Sequence, residues 1–317
     1  MSYLVPIRQI GGRGGSAFNF NGTDSGATLE KIGAWAGGWQ IKSIKIWLTN
    51  GQSRQFGNPG DGPYSEYTFK KGEHITSLSL WGNGAGTRLG AIKFTTTLGS
   101  TFFPQMTSWG LKTEYPIDIG SGICMGVIGS AGADIDCLGF IFINTIKSSV
   151  LTNVDYPTLD DIIPQVAVEE LKSMTYSNKT TLPQEYTIET TKKIIKTSSW
   201  SVTNKIESTF NVSVKAGIPE VAEIESGFSF TEGVESTRSL ENSEEKEEKL
   251  SFPVKVPPGK TVEAKITIGR AVVELPYTGT VKITCYNDSV LKFNISGIYN
   301  GLAFTKADVD ITEHNEA

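Results

Sequence analysis

The 317-residue sequence contains few of the side chains that bind metals or carry out acid–base chemistry. It has only three cysteines, Cys124, Cys137 and Cys285, and two histidines, His74 and His314. Zinc sites place Cys and His at short, paired spacings, which do not occur here. No phosphate-binding glycine loop or nucleophile elbow is found either. We therefore expect no metal, no cofactor and no enzymatic activity.

The sequence also lacks an excess of basic residues and any long apolar run. Its net charge is −5, with 29 Lys and Arg against 34 Asp and Glu. Nucleic-acid binding depends on basic side chains that neutralise phosphates, so no nucleic-acid partner is expected. A membrane-spanning helix needs roughly 18 apolar residues in a row, and residues 1–12 lack the basic and apolar regions of a signal peptide. We expect a soluble protein that is cytoplasmic or secreted by an unconventional route.

Two of the cysteines leave an alternative open. Cys124 and Cys137 would form a disulfide if neighbouring strands brought them together. Three cysteines do not make a disulfide framework, and unpaired Cys is among the most buried residue types. Buried free thiols are the preferred interpretation.

Glycine is abundant, and a glycine-led motif recurs three times in the first half. A glycine turn followed by a strand with apolar residues at alternate positions begins at Gly38, Gly86 and Gly132, which are 48 and 46 residues apart. One such unit has too little core of its own, so three similar units are expected to pack around a shared axis. The pattern predicts three similar β-sheets with pseudo-threefold symmetry.

Two segments of this half resemble the jacalin-related lectins, whose fold is a β-prism of three Greek-key sheets. They are residues 11–15, which are rich in glycine, and residues 132–136, which are similar to the family's Gly-x-x-x-Asp sugar loop. The resemblance covers residues 3–146 and implies mannose or a mannose-rich glycan as the ligand. The sugar-binding residues that it implies are Gly14, Gly15, Gly132, Ala133, Asp134, Ile135 and Asp136.

A carboxylate at position 136 suits a sugar. An ionised Asp accepts charge-assisted hydrogen bonds from adjacent hydroxyls, and glycines let backbone N–H groups approach the same ligand. The other two repeats carry Lys42 and Gly90 at the position of Asp136, so one sugar site per chain is expected. Alternatively, Asp134 and Asp136 only shape a turn. Glycoside hydrolysis needs carboxylates on opposite sides of the bond, which two positions on one loop do not provide.

The second half is richer in Ser, Thr, Lys and Glu and predicts longer strands. Apolar and polar residues alternate over residues 200–234, which predicts two long strands joined by a turn at residues 217–221. A bilayer-crossing strand needs about 9–11 residues, whereas ordinary strands have about 5–6. An ordinary half-buried sheet shows the same alternation. The apolar face of these strands includes Ile206, Phe210, Val212, Val214, Ile218, Ile224, Phe228 and Phe230.

The order of elements in this half resembles the aerolysin-type pore-forming module. Long strands are followed by the Ser/Thr-rich hairpin, an acidic run at residues 241–249, a Pro-Pro-Gly turn and further strands. With the jacalin-like half, the chain resembles the natterin-like, or vertebrate aerolysin-like, proteins. The resemblance implies an all-β protein, with a jacalin-like lectin domain at residues 1–147 and an elongated pore-forming module of long twisted strands at residues 148–317.

The resemblance implies a glycan-targeted β-pore-forming protein. The lectin head would bind mannose-rich glycans, and protomers would then form a homo-oligomer on the target membrane. Several protomers are needed because one hairpin cannot close a barrel. Each would insert its hairpin 200–234 into a shared transmembrane β-barrel, and the apolar residues named above are the ones expected to insert into the membrane. The alternative is a soluble mannose-binding lectin without pore activity. The acidic run is expected to be a solvated loop, or else a latch sensitive to pH or proteolysis.

Overall fold

The computed structural model describes residues 2–315, and these residues confirm the all-β prediction. They form β-strands throughout, with one short helix in the described part of the chain. No helix between residues 2 and 315 has the length and apolar character needed to cross a membrane.

The first twelve strands build three four-stranded sheets. Their bounds are β1 Ile10–Gly11, β2 Ser16–Asn21, β3 Leu29–Ala36, β4 Ile41–Leu48, β5 Ser53–Gly57, β6 Tyr64–Thr68, β7 Ile75–Gly82, β8 Leu89–Thr96, β9 Thr101–Phe102, β10 Glu114–Ile117, β11 Cys124–Ala131 and β12 Ile135–Phe142. The strand orders are β5-β4-β3-β6, β10-β7-β8-β9 and β1-β12-β11-β2. The strands that follow the three glycine turns, β4, β8 and β12, occupy inner positions. The predicted three-sheet prism is confirmed.

The core of this prism repeats the internal symmetry of the sequence. Ile41, Leu89 and Ile135 stand at equivalent positions of the three repeats, and each is fully buried in one shared hydrophobic cluster. Burying an aliphatic side chain of this size contributes about 1.5–3 kcal/mol. The three sheets therefore depend on each other for a core, as expected for units too small to fold alone.

The remaining elements are long strands around one short helix. Their bounds are β13 Ile146–Asp155, β14 Val166–Asn178, β15 Gln184–Trp200, α1 Ile206–Phe210, β16 Ser213–Ala216, β17 Pro219–Ile224, β18 Gly227–Glu232, β19 Ser236–Ser239, β20 Glu241–Val256, β21 Lys260–Cys285, β22 Val290–Phe304 and β23 Asp308–Asn315. Nine of the strands form one sheet, with the order β19-β16-β13-β21-β22-β15-β20 and with β14 and β23 each paired to β21. Strands β17 and β18 form a separate hairpin.

The chain divides into two compact units that are not contiguous in sequence. The first unit combines residues up to Thr152 with Val202–Ser213 and Gly279–Ile295. The second combines Asn153–Ser201, Val214–Thr278 and the residues from Ser296 onward. The predicted domain boundary between residues 147 and 148 lies inside β13 and stays a prediction.

Residues 200–218 do not form the long strand that their alternation predicts. The backbones of Asn204, Lys205 and Asn211 are left-handed, with φ values of 60°, 58° and 51°. This conformation is uncommon for residues with a side chain and does not continue a strand. Ile206 and Phe210, the first and last residues of α1, are four positions apart, a spacing that buries both on one face of either a helix or a strand. The long-strand prediction is therefore wrong here.

The predicted turn and the predicted single apolar face are also wrong. The β17–β18 hairpin turns at residues 225–226, not at residues 217–221. In its register Phe228 lies opposite Glu223, and Phe230 lies opposite Val221. Directly opposed residues share a face, so Ile224 points to the other side from both phenylalanines. The two-residue turn shifts the alternation by one position.

The acidic run at residues 241–249 is not a loop. It is the first part of β20, which pairs with β15 over its whole length. Residues Lys192, Lys193 and Lys196 lie directly opposite residues Glu248, Glu247 and Glu244. Opposite charges at facing positions stabilise a strand pair. The loop prediction fails because the compensating lysines lie about fifty residues earlier in the sequence.

Candidate functional site

Two loops at one end of the prism bring the predicted sugar-binding residues together. The turn at residues 132–134 joins β11 to β12, and residues 12–15 join β1 to β2. The Gly132 amide donates to the carbonyl of Asp134 at 3.0 Å, and the Gly12 amide donates to the carbonyl of Asp136 at 2.7 Å. These bonds fix both loops around the start of β12.

The glycines at positions 14 and 15 are required by their contact with the Asp136 carboxylate. A Cβ atom at Gly14 would lie 2.5 Å from Asp136 Oδ1, and one at Gly15 would clash with Oδ2. Gly15 also has a positive φ of 72°, which favours glycine. Both glycines are exposed, so the loop presents backbone to solvent directly over the carboxylate.

The Asp136 side chain is only 3% exposed and has an unusual set of partners. Arg88 Nη1 lies 2.8 Å from Asp136 Oδ1, which makes an ion pair. The N–H bonds of Arg88 Nη1 do not point at Oδ1, so this oxygen accepts no hydrogen bond from any residue between 2 and 315. Buried polar atoms are nearly always hydrogen-bonded, and an exception calls for an explanation such as a ligand. A hydroxyl donor would satisfy it.

Asp134 joins all three repeats. Its carboxylate accepts from Lys42 Nζ at 2.5 Å and lies 3.4 Å from Arg88 Nε. Although partial burial acts to raise the pKa of Asp134, the hydrogen bonds from Lys42 and Gln40, the charge of Lys42 and the hydrogen bond from Arg88 lower it below its ordinary value. Asp134 is therefore a carboxylate at neutral pH.

The predicted sugar-binding residues did not include Lys42 or Arg88 of this network. Lys42 and Arg88 belong to the first and second repeats, at the positions of Asp136 and Asp134 in the third. The repeat alignment contains the signal, because a threefold prism brings equivalent loops to one end. Within this network two cationic and two anionic side chains balance. Arg13, exposed in the neighbouring 12–15 loop, adds a further positive charge.

The other predicted sugar-loop residues divide between surface and core. Gly132 and Ala133 are exposed, and the Ala133 carbonyl accepts from the Asn58 amide at 2.9 Å. The Ile135 side chain is fully buried in the hydrophobic core and does not reach the surface. Only its backbone is available to a ligand, because alternate residues of a strand face opposite sides.

All three cysteines are free; Cys124 and Cys285 are buried as expected, whereas Cys137 is half-buried. Cys124 lies opposite Phe142 and Cys137 lies opposite Ser130 on the same strand pair. Residues so offset along a strand are about 17–20 Å apart, much farther than a disulfide spans. Burial raises the pKa of the Cys124 thiol to about 12, so it stays protonated and unreactive.

Most of the residues predicted to insert into a membrane are covered. Five of these side chains are buried: Ile206, Phe210, Val212, Val214 and Phe230. Ile218 and Phe228 are half-buried, and Ile224 is exposed. Apolar side chains at alternate positions are thus hidden, although they do not share one strand. The structure does not bring them together as a single surface.

Helix α1 is anchored within the first unit. Lys205, which precedes the helix, forms an ion pair of 2.5 Å with Glu30. At the other end, the ring of Phe210 lies 6.4 Å from that of Phe293, which also packs against Gly26. The anchor combines an exposed ion pair with buried aromatic contact, so most of its strength comes from burial.

An aromatic cluster holds the segment that follows α1. The Tyr156 hydroxyl donates to the carbonyl of Gly217 at 2.9 Å and accepts from Trp200 Nε1 at the same distance. Tyr299 packs against both rings, and the Tyr277 hydroxyl donates to Ser201. Burial raises the pKa of Tyr156 well above its ordinary value, so its hydroxyl keeps its proton.

Two family models match the chain, and together they span most of it. Residues 7–141 match the jacalin-like lectin domain. Residues 139–306, more than half of the chain, match the family described as Clostridium epsilon toxin ETX/Bacillus mosquitocidal toxin MTX2. The chain thus combines a lectin domain with a toxin-like domain, and neither is an enzyme family.

Two solved structures are similar to this chain. The crystal structure of lamprey immune protein is 56% identical, covers 99% of this chain and 100% of its own, and superposes with a TM-score of 0.96. Malaysian banana lectin is 27% identical and covers 46% of this chain and 100% of its own, with a TM-score of 0.37. No curated protein sequence matches the chain.

Proposed function

Because the chain belongs to the Clostridium epsilon toxin/Bacillus mosquitocidal toxin MTX2 family and carries a jacalin-like lectin domain, we propose that it is a glycan-targeted pore-forming protein. Its architecture is that of the natterin-like, or vertebrate aerolysin-like, proteins. The lectin unit binds mannose or a mannose-rich glycan on a membrane. The second half then forms a homo-oligomer and inserts strands from residues 200–234.

The geometry of the Asp136 site supports the sugar-binding step. Asp136 Oδ1 is a buried acceptor that no residue in the described range serves with a hydrogen bond, and two glycines lie over the carboxylate. A sugar hydroxyl donates to this oxygen once Arg88 swings outward. The movement breaks the ion pair with a buried carboxylate, and the hydrogen bonds of the sugar must offset that loss.

One observation carries the pore-forming step. Strands β15 and β20 pair from Gln184 opposite Val256 to Ser199 opposite Glu241, and residues 200–240 close this long ladder. The connecting segment alternates like a strand, yet left-handed residues and α1 keep its first part in another conformation. Straightening it would extend the ladder far enough to cross a bilayer. The soluble fold thus stores a segment that is competent to form strands.

The proposed mechanism implies a change of location when the protein is activated. Before activation it is soluble, in the cytoplasm or after unconventional secretion, and afterwards it is membrane-associated. Insertion requires several protomers, because strands in lipid need every backbone group paired in a closed barrel. Its partners are a glycan, a membrane and further copies of the same chain.

Dye release from vesicles bearing mannose-rich glycans tests the proposal. We expect release by the wild-type protein and none from vesicles without glycan. Asp136→Asn should abolish both sugar binding and release, because the neutral amide is a weaker acceptor for hydroxyls. Asp24→Asn, at an exposed position, is the matched control. Wild-type sugar binding without release would establish the alternative, a soluble mannose-binding lectin.

A reversible cross-link separates binding from insertion. Glu30→Cys and Lys205→Cys, in a Cys137→Ser background, are bridged by a short thiol-specific reagent that holds α1 in place. The bridged protein should bind mannose normally and release no dye until a reductant cleaves the bridge. The single Lys205→Cys variant treated with the same reagent is the control. Full release by the bridged protein would reject a conversion of α1.

A further inference from the structure

Two tryptophans in the first unit lie side by side on its surface. Trp39 is 56% exposed and Trp109 is 49% exposed, and their ring centroids are 6.0 Å apart. Trp normally buries most of its large apolar area. A contiguous exposed apolar pair of this kind marks a binding surface more often than a single exposed residue does.

The two loops that carry the pair are joined by backbone hydrogen bonds. The amides of Thr107 and Ser108 donate to the carbonyls of Gly37 and Gly38 at 3.0 and 2.8 Å. Gly37 also donates to the carbonyl of Gln40 at 2.7 Å, which closes the turn that carries Trp39. Loops ordered in advance lose little entropy on binding. The backbone bonds therefore fix the positions from which the two indoles project as a platform.

The platform is continuous with the Asp136 site. Trp39 belongs to the turn of the first repeat, where it occupies the position of Ala133 in the sugar loop of the third. The next residue, Gln40, hydrogen-bonds to Asp134, and Lys42 pairs with the same carboxylate. The second repeat has Thr87 at this position, so the aromatic residue occurs in the first repeat alone.

From this arrangement we infer that Trp39 and Trp109 form a second sugar subsite, which stacks on a further pyranose ring of an oligosaccharide whose terminal residue binds at Asp136. The inference rests on the proposed sugar-binding function. A pyranose has an apolar face of C–H groups that fits an aromatic ring, and its hydroxyls suit the polar groups around the pair. The flanking residues Gly37, Gly38, Thr107 and Ser108 are small or polar. The apolar patch matches one sugar ring rather than a broad lipid surface.

Calorimetry with methyl α-mannoside and with α-linked mannotriose tests this subsite on the full-length protein. Trp39→Ala and Trp109→Ala should each weaken mannotriose binding by about tenfold or more, as removal of an aromatic anchor does. Monosaccharide affinity should stay within about twofold of wild type. Trp39→Phe should recover part of the loss. Leu98→Ala, which removes another exposed apolar side chain of this unit, should change neither affinity.

Other results would contradict the subsite, and each can be told apart from the others. Unchanged mannotriose binding in both alanine variants, or an equal loss for the two sugars, overturns the subsite. Loss of binding to glycan-free phosphatidylcholine vesicles with mannotriose binding intact assigns the pair to lipid and also overturns it. If the wild-type protein binds neither sugar, the proposed sugar-binding function itself fails, and the subsite fails with it.

Discussion

At the scale of single residues, the Tyr156 hydroxyl has two partners that depend on it. It accepts from Trp200 and donates to the carbonyl of Gly217, and all three residues are buried. A buried polar group that loses its partner costs about 1–3 kcal/mol. Tyr156→Phe removes a partner from both groups at once.

We therefore expect Tyr156→Phe to lower the free energy of unfolding by about 1–3 kcal/mol, measured by urea denaturation. The phenyl ring preserves the packing against Tyr299, so the loss in free energy of unfolding measures the contribution of the hydroxyl alone. Tyr286→Phe is the control, because Tyr286 is 68% exposed and its hydroxyl is solvated. A loss no larger than that of the control would contradict the assigned role.

Asp134 makes stability depend on pH. Its pKa is lower in the folded protein than in the unfolded chain, so the unfolded state takes up the proton first as the pH falls. The stabilisation is complete above about pH 4 and is lost as the pH falls through the lowered pKa. At neutral pH, Asp134→Asn should have a lower melting temperature than wild type.

This difference in melting temperature should shrink below about pH 4, because protonation then makes the wild-type side chain neutral as well. Thermal unfolding followed by circular dichroism from neutral to acidic pH measures it. A gap that stays constant over the whole range would show that the Lys42 and Arg88 contacts contribute through packing rather than charge.

At the scale of elements, the β15–β20 ladder joins one lysine-rich and one glutamate-rich strand. Lys193 lies opposite Glu247 and forms an ion pair of 2.7 Å with Glu245. Lys193→Glu would place like charges face to face. We expect a loss of about 0.2–1 kcal/mol in the free energy of unfolding at low salt, since both partners are exposed.

Salt provides the check for this ladder. At about 0.5 M salt the penalty of Lys193→Glu should largely disappear, because exposed charges are then screened over a few ångströms. Lys193→Gln, which removes the charge without reversing it, should lose less at low salt. A penalty that does not change with salt would point to strand packing instead of charge.

The sequence predicted those elements whose signals are local. Glycine turns followed by alternating apolar residues identified the strands after Gly38, Gly86 and Gly132, and the fold places them as expected. The strand predicted after Trp200 was wrong because the spacing of Ile206 and Phe210 fits the period of a helix as well as that of a strand. The strand formed by the acidic run, and the Arg88 contact with Asp136, depend on partners distant in sequence that no local pattern reveals.

At the scale of the whole molecule, the lectin core is complete within the first 147 residues. The buried cluster of the prism draws only on residues 5–142, although the first compact unit also includes Val202–Ser213 and Gly279–Ile295. The later segments add contacts such as Phe210 with Phe293 but no member of that cluster. The residues of the proposed sugar site also lie within the first 147 residues.

A fragment of residues 1–147 should therefore fold and bind mannose with the affinity of the full chain. Its melting temperature should be lower, because it lacks the later segments. Near-ultraviolet circular dichroism and calorimetry test this expectation, with the fragment carrying Asp136→Asn as the control for binding. An unfolded fragment would show that the prism requires the later segments.

The ion pair between Glu30 and Lys205 joins a residue of the prism to one that is synthesised 175 positions later. The last prism strand ends at Phe142 and Lys205 follows 63 residues later (205 − 142 = 63), so synthesis reaches Lys205 about 3–13 s after the prism strands are made. The three sheets have time to fold in that interval, because domains fold from the N-terminus during synthesis. The part of the α1 docking surface that lies in the prism is thus complete when the strand-competent segment emerges, and Phe293 adds its contact later. Vectorial synthesis would thereby protect the cell that makes this protein from premature pairing of its nascent chains.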